Sequence, residues 1–201
     1  MATLGYTTTP SHFQFGEGFN IGDQIGLAAT MPSPGGVITV LHAFAQSFNG
    51  TNTMTLVVWD ASGNVLASGT ASAASSPSSG AWVTTTLGTP LFVASSATIY
   101  IGFANPNNTS GNSGFVAEYD QAGGTTKWNQ QSSAPGNLLT GTNATNLTNT
   151  NIGAYADYTP AGMYVRRSGV WTAAPVYVRR SGAWVQATVY VRRSGVWVAA
   201  G

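Results

Sequence analysis

The chain has 201 residues and a formal charge of +1, and only 6 % of its residues are charged, against roughly a quarter in an ordinary soluble domain. Disorder is excluded, because 43 % of the residues are hydrophobic and 11 % aromatic, and they fall in short runs; the absence of cysteine excludes a disulfide framework and thiolate metal sites. The surface must then be built of Thr, Ser, Asn, Gln and Gly, which puts little charge repulsion between copies and suits a permanent assembly.

Taken in order, residues 1–10 have neither a basic nor an apolar region of the kind that makes a signal peptide. Residues 4–9 predict a short edge strand. Residues 11–23, SHFQFGEGFNIGD, read as a loop packed by Phe13, Phe15 and Phe19. Apolar character returns over 24–31 and is broken at Pro32-Ser33-Pro34-Gly35-Gly36. The run 37–48, VITVLHAFAQSF, alternates and starts with β-branched residues, so it predicts a long strand.

The centre of the pattern is 54–69, MTLVVWDASGNVLASG, which predicts a hairpin with Asp60 capping the turn and Gly63 supplying a positive φ. Its incoming strand is apolar on both faces, Leu56 and Val58 on one and Val57 and Trp59 on the other. Such a strand is central, or has its second face covered by a loop or another subunit. A loop is expected over 71–80, a strand over 81–93 interrupted at Gly88-Thr89-Pro90, and a strand over 97–104. The loop 105–114 precedes two short strands, 115–120 and 125–130, around the turn at Ala122-Gly123-Gly124. A polar connector over 132–151 leads to a last alternating strand, 152–159, closed by Pro160.

Nine or ten short strands with turn signals between them, and no helix pattern, predict an all-β, jelly-roll-like β-sandwich over residues 1–160. No window approaches ~18 apolar residues, so no membrane span is expected. Charge divides the chain at the same place. Residues 1–160 hold all six acids and one lysine, a balance of −5, whereas 161–201 hold six arginines and no acid.

That second part contains three near-identical units of 13 residues, YVRRSGVWTAAPV, YVRRSGAWVQATV and the shortened YVRRSGVWVAA. Ser-Gly between apolar runs predicts a hairpin in each unit. Arg166 then lies opposite Trp171, Arg179 opposite Trp184 and Arg192 opposite Trp197, with Tyr164, Tyr177 and Tyr190 on the same faces. Stacking of guanidinium on indole, about 0.5 to 2 kcal/mol each, uses the charge locally and argues against nucleic acid as the partner. Hairpins this small must stack on each other or on other copies, so residues 161–201 are expected to serve attachment or self-association, as in a trimer.

The succession TVLHAFAQS, LVVWDASGNVLASG, GAWVTTTLGTPLFV, TIYIGFA and IGAYADYTP resembles a jelly-roll module of minor tail and tail-fibre proteins of tailed bacteriophages. Repeats like VYVRRSGAWVQA look like the carboxy-terminal ends of virion proteins from phages of actinobacteria. The resemblance covers most of residues 25–200, and its motifs are structural. It implies a virion protein, not an enzyme, that contacts other virion proteins, its own copies and a host cell-surface polysaccharide. Minor tail or tail-tip protein, head decoration protein and free carbohydrate-binding module are the readings it leaves open.

For chemistry, the sequence offers little. His12 and His42 are its only histidines, and His42, inside a strand, reads as a satisfied structural residue; Glu118 and Asp120 share a face but have no nucleophile motif beside them. No cofactor is implied, and no spaced Asp-x-Asp set marks a metal site. A pyranose needs an aromatic platform with polar neighbours. Tyr119 and Trp128, with Asn105, Asn107, Asn108, Asp120 and Asn129 near them in sequence, are the candidates, on the expectation that the two rings sit on neighbouring strands and share an exposed face. The competing reading makes Trp128 core or subunit interface.

Overall fold

Four consecutive residues, Leu56, Val57, Val58 and Trp59, are each 0 % exposed, so the strand that carries them is buried on both faces. In a computed structural model it is β5 (Asn52–Asp60), and the described residues are 1–10, 13–14, 22–47, 52–73, 80–105, 115–121, 123–130, 134–161, 163–167, 170–174, 176–187, 190–193 and 196–199. Every regular element among them is a strand. Before β5 come β1 (Ala2–Tyr6), β2 (Phe13–Gln14), β3 (Asp23–Thr30) and β4 (Gly35–Ser47). After it come β6 (Val65–Ala73), β7 (Ala81–Ala94), β8 (Thr98–Ala104), β9 (Phe115–Asp120), β10 (Thr125–Gln130), β11 (Thr142–Thr148), β12 (Asn151–Ile152) and β13 (Ala154–Pro160).

These form two antiparallel sheets. One runs β11-β10-β3-β8-β5-β6; the other is built on β1-β13-β4, with β7 on the far side of β4, and β9, β12 and β2 continuing it beyond the end of β13. The inward residues of both enclose one core, as in a β-sandwich: Ile25, Leu56 and Phe103 from the first sheet meet Ile38, Leu41 and Ala156 from the second.

The β5–β6 turn forms as its residues dictate. Asp60 Oδ1 accepts from the amides of Ser62 and Asn64 at 2.8 Å each, and Gly63 takes φ +81°. The hydrogen bonds from Asn64, side chain first, then backbone, hold the Asp60 carboxyl below its ordinary value.

The interruption expected at Gly88-Thr89-Pro90 is a bulge within one strand: β7 runs on from Ala81 to Ala94, and residues 87–90 bow out of register opposite Thr39. Because β7 pairs with β4 alone, the bulge lets Pro90 sit in the strand without breaking a ladder bond. The stretch 132–151 is not a plain connector. It supplies β11, which pairs with β10, and before that a strap, residues 134–140. The edge strand is Ala2–Tyr6 rather than 4–9, and of the segment 11–23, Phe13 and Gln14 pair with β9, while Phe15 and Phe19 lie outside the described residues.

The strap explains how β5 is buried twice. It crosses the outer face of the six-stranded sheet and sets Leu138 on Val57, Trp59, Tyr100 and Ala104. Its backbone is satisfied by side chains of that sheet. Trp59 Nε1 donates to the Gly136 carbonyl at 2.9 Å, Gln24 exchanges bonds with Gly136 and Asn137, and Asn129 Nδ2 donates to the carbonyls of Asn137 and Leu138. The Leu138 amide donates to the Gly63 carbonyl at 2.8 Å, and Asn137 Nδ2 donates to Ser62 O, so the strap also docks on the Asp60 turn.

In the arginine-rich part, β14 (Met163–Arg167) pairs with β15 (Val170–Ala174), β16 (Val176–Arg180) with β17 (Ala183–Ala187), and β18 (Tyr190–Arg193) with β19 (Val196–Ala199), as three separate two-stranded sheets. Ser181 and Gly182 both have positive φ, 47° and 87°, the backbone twist that suits a two-residue hairpin turn.

Candidate functional site

Among the described residues, no strap like 134–140 crosses the outer face of the seven-stranded sheet. In the pleat of β4, Leu41 and Ala43 point to the core, so His42 and Phe44 point away. On β7 the same alternation sends Val83 inward and turns Trp82, Thr84 and Thr86 outward; on β13 it turns Tyr155 and Asp157 outward between the buried Ala154, Ala156 and Tyr158. Register then assembles the site. Thr84, His42 and Tyr155 lie side by side across three strands; Trp82 lies opposite Phe44, and Asp157 and Thr86 flank Val40.

The side chains meet as that register requires. The His42 ring stacks on Tyr155 with centroids 4.1 Å apart and planes 10° apart. Trp82 makes edge contacts with Tyr155 at 5.0 Å and with Phe44 at 5.4 Å, and its Nε1 donates to Thr9 Oγ1 at 3.3 Å. The two imidazole nitrogens are both engaged: Nδ1 is 2.9 Å from Thr84 Oγ1 and Nε2 is 3.2 Å from Asp157 Oδ2. Side-chain exposure of 14 % for His42 and 23 % for Asp157 leaves both in reach of solvent. Burial, and then the neighbouring Asp157 charge, push the Tyr155 phenol above its ordinary value, so it stays a neutral hydroxyl.

A hydroxyl, an imidazole and a carboxylate in line have the composition of a nucleophile–base–acid set. All three sit in mid-strand: β4 and β13 are laddered on both sides, while β7 pairs with β4 alone and has its other edge outside the ladder. The arrangement is suited to holding a ligand by stacking and hydroxyl hydrogen bonds. Among the described residues no group of three or more His, Asp or Glu is close enough to hold a metal ion.

The platform expected from the sequence is not assembled. Tyr119 is on β9, which pairs with β4 and β12, whereas Trp128 is on β10, which pairs with β3 and β11, so the two rings belong to different sheets. Both pack against the shared core from its margin. Although they follow each other in the chain, β9 and β10 do not pair and close no hairpin. Of their polar neighbours, Asn105 and Asn129 are buried, at 3 % and 0 %, Asn129 holding the strap. Asp120 accepts from the Tyr6 hydroxyl at 2.7 Å. Asn107, Asn108 and His12 lie outside the described residues.

Arg166 faces Trp171, Arg179 faces Trp184 and Arg192 faces Trp197 in the strand registers. Arg179 is exposed. The side chains of Tyr164, Arg166, Trp171, Tyr177, Trp184, Tyr190, Arg192 and Trp197 lie outside the described ones. Reasoning from sequence passed over Trp82, Thr84 and Tyr155 as a group. A signal existed in AWVTTTL, where Trp82 falls on the polar side of the alternation.

The chain matches no protein-family model and no curated protein.

Proposed function

We propose that the chain is a non-enzymatic structural protein of a tailed-phage virion, a minor tail or tail-tip component whose jelly-roll body meets a host-surface glycan and whose three-hairpin part attaches or multimerises it. The observation that carries this reading is the open outer face of the seven-stranded sheet. It presents Trp82, Tyr155, His42 and a row of threonines on a rigid scaffold, while the opposite outer face is closed by the strap. Aromatic rings and hydroxyls on one face match the apolar CH face and the hydroxyls of a sugar. The nearly uncharged body and the six arginines confined to 161–201 fit a subunit that lives in an assembly.

The copy number tests the placement. A tail component is present in few copies per particle and a decoration protein in hundreds, so densitometry of purified virions on a gel decides between tail and head. Truncation after Pro160 tests the attachment role: the shortened protein should stay folded and become monomeric, and an unchanged oligomeric mass in light scattering would refute it.

A further inference from the structure

We propose that the outer face of the seven-stranded sheet binds a neutral polysaccharide and turns away anionic ones, an inference that rests on the attachment reading above. Four strands carry the face, β1, β13, β4 and β7, and only two of their residues are titratable in the neutral range or below, His42 and Asp157. The polar groups in line with them are hydroxyls: Thr3 beside Asp157 on β1, and Thr84 and Thr86 on β7, all three exposed. From β1 to β7 the face spans three strand spacings, about 14 Å, which suits a run of sugars better than a single ring.

The chemistry of the two ends differs. Tyr155 and Trp82 give apolar ring surface for the CH face of a pyranose, and the segment 7–10 closes that end, with Thr9 on Trp82 and Pro10 beside Phe44 and Gly153. At the other end Asp157 accepts hydrogen bonds from hydroxyls, and threonine hydroxyls both donate and accept, which matches the donor-and-acceptor character of a sugar hydroxyl. A uronate or phosphate would bring a second negative charge against Asp157. No lysine or arginine on these four strands would compensate it, so like-charge contact works against anionic glycans.

The test is affinity electrophoresis of the full chain in gels holding dextran or arabinogalactan as neutral probes, and polygalacturonate or hyaluronate as anionic ones. The wild type should be retarded by a neutral probe and not by the anionic ones. Tyr155→Ala should abolish the retardation; Thr86→Trp, a bulky group at an exposed position away from the core, should do the same and decides the matter if the first variant does not fold. Asp157→Asn should bring anionic binding up by roughly tenfold. Retardation by anionic probes as strong as by neutral ones would overturn the charge selection and leave attachment standing. Binding to neither kind, and to no host cell wall, would remove the attachment reading and this inference together. Neutral binding that survives both Tyr155→Ala and Thr86→Trp would place the ligand elsewhere and overturn the site.

Discussion

The two outer faces of the sandwich start from similar material and end differently. Each carries a tryptophan flanked by a tyrosine. On the six-stranded sheet, Trp59 is 0 % exposed beneath the strap, its indole N–H given to the Gly136 carbonyl. On the seven-stranded sheet, Trp82 keeps partial exposure and its indole N–H goes to the hydroxyl of Thr9. The first face has become a second core; the second has remained a surface.

Parallel truncation of the two tryptophans should break this symmetry most visibly. Trp59→Ala empties a buried site and is expected to cost about 3 to 5 kcal/mol, seen as a large fall in melting temperature. Trp82→Ala removes edge contacts on a half-open face and should cost about 1 kcal/mol. Equal losses would mean that the seven-stranded face is also core.

The strap itself can be lifted by a smaller change. A Cβ on Gly26 would lie 2.8 Å from Leu138 Cδ2 and 3.2 Å from Trp59 Cζ3. Gly26→Ala should therefore cost about 1 to 3 kcal/mol and make residues 134–140 a preferred site of limited proteolysis, with binding at the opposite face unchanged. A variant as protease-resistant as the wild type would show that the strap is not held by this contact.

The smallest effects are in pH dependence, and they separate the two sheets again. Asp60, whose folded value is lowered by hydrogen bonds from Asn64, contributes stability above its unfolded value and loses it as the solution becomes more acid. Asp60→Asn should flatten the decline in melting temperature between about pH 5 and about pH 3. Tyr6, raised chiefly by its bond to Asp120, contributes fully below the unfolded phenol value and loses that contribution as pH rises through the higher folded one. Tyr6→Phe should flatten the alkaline decline above about pH 10. Acid sensitivity unchanged in the first variant, or alkaline sensitivity unchanged in the second, would refute the corresponding assignment.

By itself the sequence determined the elements whose cause is local. The Asp60 turn follows from Asp, Asn and Gly at fixed offsets, β4 and β8 follow from alternation and β-branching, and β5 from an unbroken apolar run, all within a few residues of chain. It also required that Val57 and Trp59 be buried, and left open whether a central position, a loop or another subunit would do it. What it could not determine was which distant strands would lie together. Tyr119 and Trp128 are nine residues apart in sequence and end in different sheets, whereas His42 and Asp157, separated by 115 residues, end 3.2 Å apart. A strand's own pattern says that one face must be buried and leaves open against which partner. Only the joint burial of Ile38, Leu41 and Ala156 beneath β4 and β13 brought the imidazole, the carboxylate and the aromatic rings onto one surface, and only the tertiary structure could decide that.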